Sequence, residues 1–231
     1  MTSKIDYAHV DYSRWSPLQR WIQRVVQILV RLLARVHVEG LEHIPRTGPF
    51  ILAINHLSLL DAPVMFSFLP RRAVVFAADK WQRVPGINWA LSAVGTAIYV
   101  ARGQPDRRAL RQALTVLRSG GILAMAPEGT RSRTGGLIQG HEGVAYLATR
   151  APAPILPAVA YGQEKALHCW KRLRRPAIHV RFGALMELPP GRHSMEQLHL
   201  YTEQLMVTLA RMLPPSYRGV YADQVAEPEE V

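Results

Sequence analysis

The feature that most constrains this chain is a recurrence of short, unbroken apolar runs, each closed by a turn signal and separated from the next by helical stretches. Phe50-Ile51-Leu52-Ala53-Ile54 follows a turn at Pro45–Pro49, and runs of the same kind return at 73–77, 96–100, 122–126, 155–160 and 178–182. Runs this short, with no polar alternation, suit strands buried on both faces. Helical patterns fall between them, notably 104–118 (with Pro105 and Asp106 in the first turn) and 140–150. The alternation predicts an α/β fold, a central mostly parallel sheet flanked by helices. Residues 194–213 read as a final amphipathic helix through Leu198, Leu205, Leu209 and Leu213, and 219–231 as a frayed acidic tail. A chain of 231 residues can bury one sizeable core. The organisation expected is an N-terminal segment over 1–40, one domain over 41–215 and a tail over 216–231.

Residues 14–36 carry the clearest helical pattern. Ser16-Pro17 reads as an N-cap followed by proline at the first helical position. Leu18, Ile22, Val25, Leu29, Leu32 and Val36 recur at helical spacing, while Arg20, Arg24, Gln27, Arg31 and Arg35 line another side, with Trp15 and Trp21 near the start. An apolar stripe, a basic stripe and tryptophans describe a helix lying in a membrane interface. The same periodicity also fits a surface helix packing its apolar side on the domain. No transmembrane span or signal peptide is expected: the most apolar stretch, Val25–Leu33, is interrupted by Gln27 and Arg31.

The formal net charge is +11, and 24 of the 28 basic residues are arginine. Arginine's planar fork suits phosphate and carboxylate, so the partner expected is anionic: a nucleic acid, an acidic membrane or a phosphorylated substrate. A single cysteine, Cys169, excludes an intramolecular disulfide and a thiolate zinc site, and favours a cytosol-facing protein. The nine histidines show no metal-ligand spacing, and no glycine-rich nucleotide loop is present, so neither a metal nor a bound cofactor is expected. No nucleic-acid-binding motif is present either.

Three stretches carry chemistry, each at the end of a predicted strand. Asn55-His56 is followed by Asp61. A histidine at the carboxyl end of a parallel strand can act as a general base if a carboxylate fixes its tautomer. On one continuous helix the two would diverge by about 140°, so His56 must sit in the strand-to-helix turn and Asp61 in the helix, with Ser58 as its N-cap. Ser58-Leu59-Leu60-Asp61 also reads as a simple capping box. Pro127-Glu128-Gly129-Thr130-Arg131-Ser132 can form a loop in which Arg131 takes a phosphate and Glu128 accepts hydrogen bonds from hydroxyls, or an ordinary polar turn. Arg102, after Tyr99-Val100, is a second phosphate ligand or the surface end of a strand. No serine or cysteine stands in a nucleophile motif.

In this order and separation the three stretches resemble the lysophospholipid and glycerolipid acyltransferase family, the bacterial 1-acylglycerol-3-phosphate acyltransferases in particular. Asn55-His56 with Asp61 looks like the family's His-x4-Asp motif. Pro127–Ser132 looks like its acceptor-binding Pro-Glu-Gly-Thr-Arg-Ser motif, and Ile155-Leu156-Pro157-Ala158-Val159-Ala160 matches its apolar, proline-containing fourth motif. The resemblance spans about 48–185. It departs from the usual pattern at Gly95, seven residues before Arg102 where six is usual, and at Ala126, where phenylalanine is common.

The resemblance implies a glycerol-3-phosphate acyltransferase-like fold with an N-terminal amphipathic helix. It implies His56 as general base, Asp61 as its orienting partner, and Arg102, Glu128, Gly129, Thr130 and Arg131 in acceptor binding. A lysophospholipid, most directly lysophosphatidic acid, would be the acceptor, and acyl-CoA or acyl carrier protein the donor, with no acyl-enzyme. The protein would lie peripherally on the cytoplasmic face of the inner membrane, against an anionic surface. Two alternatives remain: the same chemistry on another lyso-lipid, such as a lyso-ornithine lipid, or a non-catalytic basic module binding membrane or nucleic acid.

Overall fold

The computed structural model of the protein describes residues 5–84, 86, 96–100 and 106–225. The strands among them are β1 (Arg35–Glu39), β2 (Phe50–Ile54), β3 (Ala73–Ala78), β4 (Thr96–Val100), β5 (Ile122–Met125), β6 (Ile155–Tyr161) and β7 (Ala177–Phe182). They form one sheet in the order β1-β7-β6-β2-β5-β3-β4. Every neighbouring pair is parallel except β6 and β7. The α-helices are α1 (Pro17–Leu33), α2 (Asp61–Phe66), α3 (Arg107–Arg118), α4 (Gly143–Arg150), α5 (Ala166–Lys171) and α6 (Met195–Met212).

The sheet is covered on both faces, which is why its strands read as continuous apolar runs. All of β2 is buried. Its Ile51 and Ala53 join Ala113 and Val116 of α3, Leu147 of α4 and Leu205 of α6 on one face. Phe50, Leu52 and Ile54 join Val64, Met65 and Phe66 of α2 and Trp15 on the other. This alternation sets the site. The chain leaves β2 through α2 towards β3 on one side of it; it leaves the adjacent β5 through α4 towards β6 on the other side, across the opposite face. A crevice therefore opens between the carboxyl ends of β2 and β5, the place where open α/β sheets bind ligands.

Three local expectations change. The N-terminal helix stops at Leu33, and residues 35–39 form β1, paired in register with β7 from Arg35↔Ala177 to Glu39↔Arg181. Val36 fits a helical stripe, but Val36 and Val38 also alternate with polar neighbours, and pairing with β7 decides in favour of the strand. Asp106 is the N-cap of α3, accepting from the N–H groups of Arg108 and Ala109, instead of lying in its first turn. Residues 219–225, the described part of the expected frayed tail, are anchored: Tyr221 is buried, and its hydroxyl accepts from Gly140 N–H at 3.1 Å.

In α1 the packing side centres on glutamines, with Ile22 and Val26 beside them. Gln19 and Gln23 are its buried residues. Gln23 Nε2 donates to the carbonyls of Phe66 and Leu69, and Gln27 Nε2 to that of Ser67. These glutamines satisfy carbonyls at and beyond the end of α2 that lack helical partners. Leu18, Trp21, Ile28, Leu29, Leu32 and Leu33 face outward, Trp21 63% and Leu32 65% exposed. Of the stripe read over residues 14–36, Ile22 and Val26 pack against the core under α2, while Leu18, Leu29, Leu32 and Leu33 stay exposed. Among the described residues no helix is long and apolar enough to cross a membrane.

Candidate active site

β2 ends at Ile54, and Asn55 anchors the strand end. Its side chain donates to Ala160 O and accepts from Ala160 N–H, at 2.9 and 2.8 Å, tying the turn to β6. The backbone then delivers His56 into the crevice, 26% exposed at its side chain. His56 Nδ1 lies 2.7 Å from Asp61 Oδ2. Asp61 opens α2 and is buried; its carboxylate accepts from Leu57 N–H at 2.9 Å, from Ser58 N–H, and from Gln163 Nε2 at 2.8 Å. Asp61 thus ties down the turn through the N–H groups of Leu57 and Ser58 as well as partnering the histidine, but no capping box forms. Ser58 is not the N-cap; Leu60 holds that position, and Ser58 Oγ accepts from Leu60 N–H instead.

With Nδ1 engaged by a carboxylate, the imidazole is held in the tautomer that leaves Nε2 as the free acceptor. Nε2 has no hydrogen-bond partner among the described residues. Gln163 is the residue that sequence reasoning missed. It follows Gly162 at the end of β6, and its amide bridges Asp61 and Ala160 O. Only the Gly-polar step after an apolar run marked it.

The Pro127–Ser132 loop, after β5, grips the histidine by its backbone. Glu128 Oε1 accepts from His56 N–H at 2.8 Å, and Ser132 N–H donates to His56 O at 2.8 Å. The other Glu128 oxygen accepts from Ile138 N–H at 3.1 Å, and the residue is 1% exposed. Sequence reasoning assigned Glu128 to a ligand's hydroxyls; in the structure both oxygens are engaged by backbone N–H groups, and the side chain joins the two motifs. Gly129 adopts φ +63°, where a side chain is strained, and an added Cβ would lie 3.1 Å from His141. Thr130 and Arg131 are exposed on this loop, next to the Ser132 that holds His56. Arg102 lies outside the described residues.

Burial pushes the Glu128 carboxyl up to about 7; the two backbone N–H bonds and His56 oppose this, while Asp61 adds to it. The sign follows from linkage. Between about 4.5 and 7 the unfolded chain gives up a proton that the folded chain keeps, so stability falls as pH rises through that window, by on the order of 3 kcal/mol. Above it the loss is complete and constant. Glu128→Gln is expected to remove this slope, read as the change with pH in the difference between parent and variant denaturant midpoints at pH 5 and pH 8. A difference that is the same at both pH values would assign the proton elsewhere.

From His56 and Asp61 an apolar cavity of 170 Å3 runs beneath α2 and along the sheet. Leu52, Met65, Phe76, Ala126 and Trp15 are among the residues that line it. Trp15 was grouped by sequence with Trp21 as an interface residue; it is buried, with its indole N–H on Leu69 O at 3.2 Å. Among the described residues no serine or cysteine side chain is hydrogen-bonded to His56. A carboxylate-held base beside an apolar slot can take a proton from a hydroxyl on a lipid-like molecule. Fold and site together fit the α/β acyltransferase expected from the sequence resemblance.

Comparisons with known proteins agree. The family model described as Acyltransferase matches residues 35–161. Human 1-acyl-sn-glycerol-3-phosphate acyltransferase alpha is 31% identical over 193 residues, covering 80% of this chain and 67% of the relative. The 1-acyl-sn-glycerol-3-phosphate acyltransferase of Borreliella burgdorferi is 28% identical over 134 residues, 55% of this chain and 51% of the relative. The crystal structure of PlsC, the 1-acyl-sn-glycerophosphate (LPA) acyltransferase from Thermotoga maritima, superposes with a TM-score of 0.60 at 26% identity, covering 81% of this chain and 78% of that one. The chain belongs to the acyltransferase family and is an O-acyltransferase. It spans between 45% and 67% of the length of the mammalian relatives.

Proposed function

We propose that the protein moves a fatty acyl group from an acyl thioester to the free hydroxyl of lysophosphatidic acid, giving phosphatidic acid. The observation that carries the reading is His56 Nδ1 held at 2.7 Å by a buried Asp61, with the histidine opening onto an apolar cavity. His56 Nε2 takes the hydroxyl proton as the oxygen attacks the thioester carbonyl, and Asp61 stabilises the imidazolium. The C–S bond then breaks, and the imidazolium returns its proton to the departing thiolate. No acyl-enzyme is required. The cavity takes the acyl chain; the exposed Gly129-Thr130-Arg131 loop takes the phosphate, with Arg102 as a second ligand by family resemblance. The donor is acyl-CoA or acyl carrier protein. The names of the human and Borreliella relatives support this acceptor.

The same reading has α1 lying on an anionic membrane surface, apolar face down and arginines beside the headgroups. The outward Leu18, Trp21, Ile28 and Leu32 support it. The test is purified protein with lysophosphatidic acid and labelled acyl-CoA or acyl carrier protein, with identification of the diacyl product. Transfer to other lyso-lipids with none to lysophosphatidic acid would change the acceptor; transfer to none would remove the reading. The cavity makes a further prediction. Trp15→Phe is expected to shift the preferred donor towards longer chains by about one or two methylenes, because the lining recedes there by part of an indole. Competition among donors of different length measures it, and an unchanged distribution would move the acyl site away from Trp15.

A further inference from the structure

The turn that closes α5 carries a leucine where glycine is the usual residue. Arg174 N–H donates to Cys169 O and Leu173 N–H to Trp170 O, both at 2.9 Å, the bond pair of a helix ended by a left-handed residue. Leu173 is that residue, at φ +53°. Residues with a Cβ rarely adopt this conformation, and glycine takes it freely. Nothing inside the protein compensates: the side chain is 98% exposed. Leucine at this point is unfavourable to both backbone and solvation in the isolated molecule, so its use is sought outside it.

The surroundings indicate where. Leu167, six residues earlier, is 69% exposed. Lys171, Arg172 and Arg174 are exposed, and none is within ion-pair distance of a carboxylate among the described residues. The segment is fastened to the end of α1: Trp170 Nε1 donates to Leu33 O at 2.9 Å, and the Arg175 guanidinium donates to the carbonyls of Arg31 and Ala34. It therefore adjoins the outward Leu29, Leu32 and Leu33 of α1.

We propose that the 167–174 turn is a second membrane-insertion point, in which Leu167 and Leu173 enter an anionic bilayer beside α1 while Lys171, Arg172 and Arg174 meet its phosphates. The inference rests on the reading of α1 as a bilayer-facing helix. An acidic carrier protein would answer the charge equally well, but continuity with the apolar face of α1 favours lipid.

The full chain is sedimented with vesicles of equal parts phosphatidylcholine and phosphatidylglycerol. Leu173→Gly relaxes the backbone and deletes the side chain, so its melting temperature is expected not to fall while its partition onto vesicles drops by about tenfold. Partition equal to that of the parent overturns the proposal. So does a variant that partitions normally but loses transfer from acyl carrier protein alone, which would make the turn a carrier dock. Leu29→Glu with Leu32→Glu separates the two readings. If that pair abolishes binding and Leu173→Gly does not, α1 stands alone; if neither matters, both readings fall.

Discussion

His56→Ala is expected to lower kcat for acyl transfer by roughly three orders of magnitude, the scale of a positioned general base, with little change in melting temperature. The two effects separate because of how the residue is held. Its backbone N–H and carbonyl, not its ring, bond to Glu128 and Ser132, so the clamp between the two motifs survives the substitution. Asp61 loses one partner but keeps the N–H groups of Leu57 and Ser58 and the amide of Gln163. Single-turnover rates with bound donor, beside a thermal melt, make the comparison. A variant within tenfold of the parent rate would sink the general-base mechanism, whatever its stability.

Asp61→Ala is expected to lose both. The ring is left free to turn and to take the wrong tautomer, so activity falls about as far as in His56→Ala. The buried N–H donors of Leu57, Ser58 and Gln163 are also left facing no acceptor, which costs about 3–5 kcal/mol in total. Asp61→Asn keeps one oxygen and the shape but sets an amide N–H2 towards donors. It is expected to be nearly as inactive and intermediate in stability. Urea midpoints rank the three proteins, and Asp61→Ala as stable as the parent would show that the carboxylate is not the organising acceptor of this turn.

The sheet and its order of elements were legible because both faces are covered: six of the strands stand out as apolar runs whatever packs on them. β1 was hidden, since Arg35–Glu39 lies on an edge and Val36 also continues the helical stripe of the preceding residues. Spacing and strand position left His56 and Asp61 either a catalytic pair or a helix cap; the resemblance of the motifs taken together made the pair legible. The bonds of Glu128 to His56 and Ile138 were not legible, because a sequence gives no sign that a carboxylate turns inward onto backbone N–H groups. Gln163 was invisible for a related reason: it reaches Asp61 from more than a hundred residues away, through a contact that only the β2–β6 pairing creates. Trp15 and Trp21 look alike in the sequence and are separated only by which side of the chain meets the sheet.

The glutamine seam beneath α1 has a mechanical consequence. A helix seated on oily side chains can roll a few tens of degrees for little energy, because such contacts have no direction. α1 is keyed instead: the amides of Gln23 and Gln27 fit fixed carbonyls of Phe66, Ser67 and Leu69, and any roll breaks them. These bonds oppose a roll that would turn the leucines inward, and they fix the heading of the helix against the body. In the proposed membrane orientation of α1, two neutral side chains set the angle between the helix and the body of the enzyme.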